Sequence, residues 1–247
     1  MRVLGVIPAR LGSTRLPNKP LQLLAGEPLI TRVIQRVRQH ELTDELVVAT
    51  DSPMIAEVAE RSQVRAVLTD GGHLSGTDRV AEVAARPEFA GADIVVNVQG
   101  DEPFLSREAL AGALDRVREG DDIGTAAAPL DAALASDAAR VKVVTDGRGR
   151  ALYFSRAVIP HRREPTDPTA GLYWQHLGIY AYTREALGRW VAAEPSPAEL
   201  AERLEQLRAL HCGLTIGVAR LDWPAFPGVD TQDDLRRAEA HWHAFEG

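Results

Sequence analysis

The chain has 247 residues, of which 45% are apolar and 26% charged, as is typical of a globular protein with a buried core. Its net charge of −7 and pI near 5.5 argue against partners held by charge alone, such as nucleic acid or an anionic membrane. Cys212 is the only cysteine, which excludes an internal disulfide and a thiolate metal site, and no segment approaches the roughly 20 apolar residues of a membrane span. We therefore expect a soluble, cytoplasmic protein.

The first half of the sequence alternates short β-branched runs with segments of helical periodicity. RVLGVI predicts a buried strand, and PLITRVIQRVRQH predicts an amphipathic helix with Pro28 at its start. The alternation continues with strands at ELVVAT, VRAVL and DIVVNV and helices at PMIAEVAER, DRVAEVAA and SREALAGALDRVRE. This order indicates a mostly parallel sheet covered by helices on both faces.

The second half follows a different pattern. VKVVT and RALYF flank residues 146–149 and predict an antiparallel hairpin. HLGIYAYT and LTIGVA predict strands, TREALGRWVA and PAELAERLEQLRAL predict helices, and a closing helix begins at Thr231 with Asp234 at capping-box spacing. The predicted fold class is α/β: three Rossmann-like layers with a mixed, mostly parallel sheet and a small antiparallel hairpin lobe. No linker is evident, so a single domain of residues 1–247 is expected.

The segment PARLGSTRLPNKP, residues 8–20, follows the first strand without the apolar pattern of a helix. It combines three small residues with three cations, namely Gly12, Ser13 and Thr14 with Arg10, Arg15 and Lys19. Small residues let backbone N–H groups approach an anion that the cations neutralise. Because open α/β sheets bind ligands at the carboxyl ends of strands, we favour a triphosphate-binding loop over a solvated basic loop. It is not a Walker loop, because Pro17 replaces the second glycine of that motif.

A second candidate site is NVQGDEP, residues 97–103, at the end of a strongly apolar strand. Gly100 permits close backbone approach, and Asp101 offers a hard oxygen ligand. Magnesium is typically held by one or two carboxylates and substrate phosphates, and Asp230, before the last helix, is the best distant partner. Two alternatives stay open at this point: Asp101 as a simple turn residue, and Asp230 as support for a helix N-terminus.

A third segment, HLSGTDR, supplies Ser75, Gly76 and Thr77 between a strand and a helix. Small polar residues suit the edge of a nucleobase. The same residues are ordinary helix-capping chemistry, and capping is the favoured interpretation from this segment alone.

Several motifs together resemble one enzyme family. In chain order they are PARLGSTRLPNKP, ATD, SGTDR, VNVQGDEP, VKVV, ALYFSR, HLGIYAY, LEQLR and GVDT. They resemble the 3-deoxy-manno-octulosonate (Kdo) cytidylyltransferases over nearly the whole chain. The first and fourth motifs are shared with CMP-sialate synthetases, whereas ALYFSR, HLGIYAY and LEQLR are more particular to the Kdo enzymes.

The resemblance implies a magnesium-dependent nucleotidyltransferase. Its substrates would be CTP and Kdo, and it would transfer CMP to the anomeric hydroxyl of Kdo, giving CMP-Kdo and pyrophosphate for lipopolysaccharide core synthesis. The resemblance also implies a homodimer, with a dimerisation and sugar-binding insertion around residues 145–212.

The resemblance further implies roles for individual residues. The implied nucleotide contacts are Ala9, Arg10, Ser13, Arg15, Lys19, Ser75, Gly76 and Gly100. The implied Kdo contacts are Gln99, Arg156, His176, Tyr180, Glu205 and Gln206, with Arg156 receiving the sugar carboxylate. Asp101 and Asp230 are the implied magnesium ligands, and with Lys19 the implied catalytic residues.

Periodicity gives uneven support to the sugar residues. On a helix over residues 197–210, Leu200, Leu204 and Leu207 form the apolar stripe, which leaves Glu205 and Gln206 on a solvated face. His176 and Tyr180 lie four apart on a strand and should point to the same side, as pocket residues or as packing residues.

Three alternatives remain open. The acceptor could be another acidic sugar, such as a sialic acid or an 8-amino analogue of Kdo; Gln175 and Thr183 stand where the family commonly has basic residues. A nicotinamide oxidoreductase is disfavoured, because no complete glycine motif joins a strand to a helix. A non-catalytic nucleotide-binding regulator would bind CTP without releasing pyrophosphate.

Overall fold

The computed structural model describes residues 1–13, 15–164 and 166–244. Thr14 of the predicted phosphate loop and Pro165 lie outside the described residues. Strands β1 to β11 are Val3–Ala9, Leu23–Leu24, Glu27–Pro28, Glu45–Thr50, Arg65–Leu68, Ile94–Asn97, Ile123–Pro129, Lys142–Thr145, Ala151–Ser155, Trp174–Thr183 and Ile216–Arg220. Helices α1 to α8 are Leu29–His40, Pro53–Arg61, Gly76–Ala85, Arg107–Arg118, Arg184–Ala192, Pro197–Glu202, Gln206–His211 and Gln232–His241.

The chain divides into two compact units. Unit one consists of Met1–Arg107 and Phe226–Gly247, and unit two consists of Glu108–Ala225. The predicted single domain with an insertion at 145–212 stays a prediction. None of the described helices combines the length and apolar character that crossing a membrane requires.

Unit one contains four parallel strands. Its strands lie in the order β6, β1, β4 and β5, and every neighbouring pair is parallel. Helices α1, α2 and α3 connect these strands as the alternating pattern predicts. On α1, Ile30, Val33 and Val37 are fully buried, because residues three and four apart share a helix face.

An apolar cluster in unit one anchors two segments that are far apart in the sequence. Leu16, from the predicted phosphate loop, lies in this cluster with Leu24 and Leu29. Val229 and Leu235, from either side of the start of α8, lie in the same cluster. Packing of these side chains therefore holds the basic loop near the residues that precede α8.

Unit two contains mixed strand pairing, which confirms the α/β class with a mixed sheet. Strand β7 is parallel to β11 and antiparallel to β10, while β8 is antiparallel to β9 and β10. The predicted hairpin is present: Asp146 Oδ1 accepts hydrogen bonds from the backbone N–H groups of Arg148 and Arg150, and Gly149 has φ 76°.

Strand β7 was not predicted from the sequence. Its residues, IGTAAAP, have no β-branched run, so the pattern carries little strand signal. The structure supplies the physical reason for small residues there. A Cβ built on Gly124 would overlap the carbonyl oxygen of Ala113 on α4, so helix and strand approach too closely for a side chain at that position.

The prediction of one continuous helix over residues 197–210 was wrong. The chain forms two short helices, α6 and α7, separated at Arg203, which has a left-handed φ of 55°. The helical phase restarts at the break, so the predicted faces do not hold: Leu200 is 53% exposed, whereas Gln206 is only 5% exposed. The solvated face predicted for Gln206 was therefore incorrect.

Candidate active site

A polar pocket of about 310 Å³ lies in unit one, where the chain leaves β1 and β6 at their carboxyl ends. The start of α3 and the residue before the cap of α8 complete its lining. All of the predicted nucleotide residues line this pocket, namely Ala9, Arg10, Ser13, Arg15, Lys19, Ser75, Gly76 and Gly100. The predicted sugar residue Gln99 and both predicted metal ligands, Asp101 and Asp230, line it as well.

The two predicted metal ligands converge on one cation. Lys19 Nζ donates hydrogen bonds to Asp101 Oδ2 and, at 2.9 Å, to Asp230 Oδ1. Arg15 Nη2 lies 3.1 Å from the same Asp230 oxygen. The backbone ties the segments together too, because the N–H of Val229 donates to the carbonyl oxygen of Asp101 at 2.9 Å. Carboxylates distant in the sequence therefore share one small volume.

This arrangement keeps Lys19 charged. Burial alone would lower the pKa of Lys19, since the charged form loses hydration. Attraction and hydrogen bonds from Asp101, followed by those from Asp230, outweigh burial and raise its pKa above the ordinary value. The ammonium is thus a fixed positive charge at the centre of the pocket.

The start of α8 bears on the interpretation of Asp230 as a helix-capping residue. Thr231 is the N-cap: its side chain accepts the Asp234 N–H, and the Asp234 side chain accepts the Thr231 N–H, which forms the predicted capping box. The Asp230 carboxylate contacts Lys19 and Arg15 instead. Capping therefore does not account for the side chain of Asp230.

Glycines set the shape of the pocket wall. A Cβ on Gly100 would lie 3.1 Å from the carbonyl oxygen of Pro8, and a Cβ on Gly76 would lie 3.3 Å from Pro8 Cγ. The segments after β6 and before α3 thus pack closely against the end of β1. Ser75 is both a lining residue and the N-cap of α3, with its hydroxyl accepting the Asp78 N–H at 3.1 Å.

The pocket is basic although the chain as a whole is acidic. Its lining carries four cations, Arg10, Arg15, Lys19 and Arg79, against two carboxylates. Arg79 was not assigned a role from the sequence. It is 2% exposed, donates to Thr69 Oγ1 and lies 3.4 Å from Asp51. Its position within the motif SGTDR was the one sequence feature that could have placed Arg79 at the pocket. An arginine on a helix ordinarily predicts solvent exposure.

Glu102 is a second residue that the sequence analysis left without a role. Burial, and then repulsion from Asp101 and Asp230, raise its pKa to about 8, against the opposing effect of Lys19. A Cβ on Gly228 would lie 2.9 Å from Glu102 Oε1 and 3.2 Å from the carbonyl oxygen of Asp101, so the chain before α8 passes close to this carboxyl. Adjacency to Asp101 was its only signal in the sequence.

Five predicted sugar residues belong to unit two. The rings of His176 and Tyr180 lie 5.4 Å apart, as expected for side chains on the same side of β10. Burial lowers the pKa of His176 to about 3, which keeps its ring neutral near pH 7. Burial, and then Tyr182 and Glu205, raise the pKa of Tyr180 well above its ordinary value, so its hydroxyl remains protonated.

The hydrogen bonds of Thr125 fix the tautomer of His176. The Thr125 hydroxyl donates to the carbonyl oxygen of Ile179 at 2.7 Å and lies 3.1 Å from His176 Nε2. Because one hydroxyl has a single proton, it accepts from His176, which places the ring proton on Nε2. His176 Nδ1 is then a hydrogen-bond acceptor, a property suited to a hydroxyl group.

The remaining sugar residues lie around the break between α6 and α7. Glu205 is the N-cap residue of α7, and Gln206 is its first residue. Arg156, which follows β9, donates to the carbonyl oxygens of Glu202 and Ala138 at 2.8 and 3.0 Å.

The donor set around Lys19 fits magnesium. Asp101 and Asp230 offer hard carboxylate oxygens close enough to share a cation, and magnesium needs few protein ligands when phosphates supply others. Among the described residues, no group of three or more His, Cys, Asp or Glu side chains forms a metal cluster. An ion held by these two carboxylates would therefore depend on additional oxygens from substrate and water.

Comparisons with protein families, related sequences and solved structures all identify cytidylyltransferases as similar to this chain. A family model described as cytidylyltransferase matches residues 4–216. A 3-deoxy-manno-octulosonate cytidylyltransferase of Gemmatimonas aurantiaca is 55% identical over 245 residues, covering 98% of this chain and 95% of the relative. An enzyme of the same name from Methylococcus capsulatus is 49% identical, covering 96% and 95%. A solved structure of CMP:2-keto-3-deoxy-manno-octonic acid synthetase complexed with CTP is 37% identical, with a TM-score of 0.91 and 99% of each chain covered.

Proposed function

Because the chain belongs to the 3-deoxy-manno-octulosonate cytidylyltransferase family, we propose that it transfers CMP from CTP to Kdo and releases pyrophosphate. The observation that carries this proposal is the convergence of Asp101 and Asp230 on Lys19 within a pocket rich in cations. Such a pocket suits a triphosphate, since the cations offset its charge while the carboxylates provide a position for a divalent ion. The product would serve lipopolysaccharide core synthesis.

The triphosphate would be bound by the segment that follows β1. Arg10, Arg15 and Lys19 provide the positive charge, and Ser13 lines the pocket beside them. Ser75 and Gly76, which line the pocket at the start of α3, would contact the nucleoside. These assignments remain proposals.

We propose magnesium as the cofactor, held by Asp101 and Asp230. When bound, it would supply Lewis-acid stabilisation of phosphate oxygens and favour ionisation of a nearby hydroxyl. Lys19, which stays protonated, would offset charge on the departing pyrophosphate. Arg15, already within 3.1 Å of Asp230, would orient the same phosphates.

The reaction would be an in-line displacement at the α-phosphorus of CTP. The anomeric hydroxyl of Kdo attacks, the bond to pyrophosphate breaks, and no covalent enzyme intermediate is required. Arg156 would receive the carboxylate of the sugar, and the neutral ring of His176 would accept a hydrogen bond from a sugar hydroxyl through Nδ1. Tyr180, Glu205, Gln206 and Gln99 are the remaining proposed sugar contacts.

The relatives favour Kdo as the acceptor over a sialic acid or an 8-amino analogue. A homodimer and a cytoplasmic location stay predictions from the sequence. An assay of pyrophosphate release tests the proposed function. With CTP and magnesium, we expect release with Kdo and much less with a sialic acid. Release without any acceptor, or only with an acceptor other than Kdo, would contradict the proposal.

A further inference from the structure

The guanidinium of Arg156 is held in place by backbone carbonyls of unit two. Its Nε–H donates to Glu202 O at 2.8 Å, Nη1 donates to Ala138 O at 3.0 Å, and Nη2 donates to Arg203 O at 3.4 Å. A guanidinium carries five N–H groups, so these contacts leave one on each terminal nitrogen. A bidentate bond to a carboxylate requires one N–H from each of two guanidinium nitrogens.

The carbonyls that hold Arg156 are available because the helix ends there. The last carbonyls of a helix have no partner within it. Helix α6 stops at Glu202, and Arg203 adopts φ 55° before α7 begins at Gln206. Both Glu202 and Arg203 direct their carbonyl oxygens to the Arg156 guanidinium.

The side chain of Glu202 fastens this helix end to the end of β9. Its Oε1 accepts the hydroxyl of Ser155 at 2.5 Å, and its Oε2 accepts the backbone N–H of Arg156 at 2.9 Å. Ser155 is 2% exposed, so this hydrogen bond is buried. Glu202 thus fixes the backbone of Arg156 with its carboxylate and the guanidinium with its carbonyl.

From these contacts we infer that Glu202 is a positioning residue for the acidic sugar. It holds the Arg156 guanidinium in the orientation that receives the substrate carboxylate, without touching the substrate itself. Preorganisation of this kind strengthens binding, because the arginine loses less side-chain freedom when the sugar arrives. The inference rests on the proposed function, since it takes the sugar carboxylate as the ligand of Arg156.

The test compares Glu202→Ala with Glu202→Gln in steady-state assays that vary CTP and Kdo separately. Alanine leaves the Ser155 hydroxyl and the Arg156 N–H without their acceptor. We expect the KM for Kdo to rise about tenfold, which is the size of effect that loss of a hydrogen bond to a charged group produces. The KM for CTP should change less than about twofold. Glutamine should recover most of the loss, because its oxygen can accept the Arg156 N–H while its NH₂ donates to Ser155 Oγ.

Glu199→Ala is the matched structural control. Glu199 lies on the same helix, caps its start and pairs with Arg208 at 2.6 Å, with no bond to Arg156. This variant should lower the melting temperature while leaving the ratio of the two KM values unchanged. A Glu202→Ala variant that behaves in the same way would overturn the positioning role.

A double-mutant cycle separates positioning from general damage. In an Arg156→Ala background, adding Glu202→Ala should change kcat/KM for Kdo by less than about twofold, since residues acting through one group are not additive. An undiminished tenfold effect in that background would overturn the inference while leaving the proposed function intact. A wild-type enzyme that does not use Kdo would instead overturn the proposed function, and this inference with it.

Discussion

At the scale of single residues, the central feature is Lys19 between Asp101 and Asp230. The residue types were readable from the sequence, because hard carboxylates at a strand end and a basic loop indicate phosphate and metal chemistry. Asp230 was predicted as the distant partner of Asp101, but the packing of Leu16 and Val229 in one apolar cluster, which holds their segments near each other, could not be predicted.

Asp101→Asn should lower turnover by about 10²-fold or more while leaving the fold nearly intact, because a charge-stabilising group in a closed site is lost. The measurement is kcat at saturating CTP, Kdo and magnesium, with circular dichroism to check folding. Asp233→Asn is the matched control: Asp233 is 73% exposed in its side chain, and its one ion-pair partner among the described residues is the exposed Arg236. Near-normal turnover of Asp101→Asn would remove Asp101 from the proposed metal site.

Lys19→Ala should weaken CTP binding about tenfold or more and Kdo binding less than about twofold. The lost ammonium is expected to contact the triphosphate, and a charge-assisted hydrogen bond is worth about 1.5–3 kcal/mol. Isothermal titration with each substrate separately gives both affinities. Equal weakening of the two substrates would show that Lys19 acts through the shape of the pocket and not through the phosphates.

At the scale of elements, hydrophobic periodicity located most of unit one, because its strands are apolar runs between amphipathic helices. It failed where packing overrides pattern. Strand β7 contains Gly124 and three consecutive alanines, which have weak strand propensity, and Gly124 permits the close approach to α4. The break at Arg203 was invisible as well, because arginine is an ordinary helix residue and only its φ of 55° ends the helix.

Gly124→Ala tests the close approach of β7 to α4. Its new methyl group would overlap Ala113 O, so we expect a loss of about 1–3 kcal/mol in the free energy of unfolding. Gly147→Ala is the control, since a Cβ there meets nothing within 4 Å and its φ is not positive. Urea unfolding of both variants provides the comparison. Equal stabilities would mean that the strand and helix can separate at little cost.

At the scale of the whole molecule, a net charge of −7 coexists with a pocket whose cations outnumber its carboxylates. The exclusion of nucleic-acid and membrane partners from the net charge stays a prediction, and the net charge could not reveal this local reversal of sign. The burial of titratable groups is likewise a property of the folded chain, and it makes stability depend on pH.

The neutral ring of His176 should make the protein less stable in acid. In the unfolded chain the imidazole titrates near pH 6.5, whereas burial lowers the pKa of the folded residue to about 3. Between these values the unfolded state binds the extra proton, so stability falls as pH falls, by at most about 1.4 kcal/mol per pH unit. Urea unfolding at pH 7.5, 6 and 5 gives the free energy of unfolding as a function of pH. We expect this free energy to fall less steeply with falling pH in His176→Asn than in the wild type. An NMR titration of His176 near pH 6.5 would contradict the prediction.

The most direct test of the account follows the phosphorus atoms of CTP by ³¹P NMR in the presence of Kdo, magnesium and the enzyme. We expect equal amounts of pyrophosphate and of a new phosphodiester that links CMP to the sugar. Appearance of free CMP in place of the phosphodiester, or unchanged CTP, would contradict it.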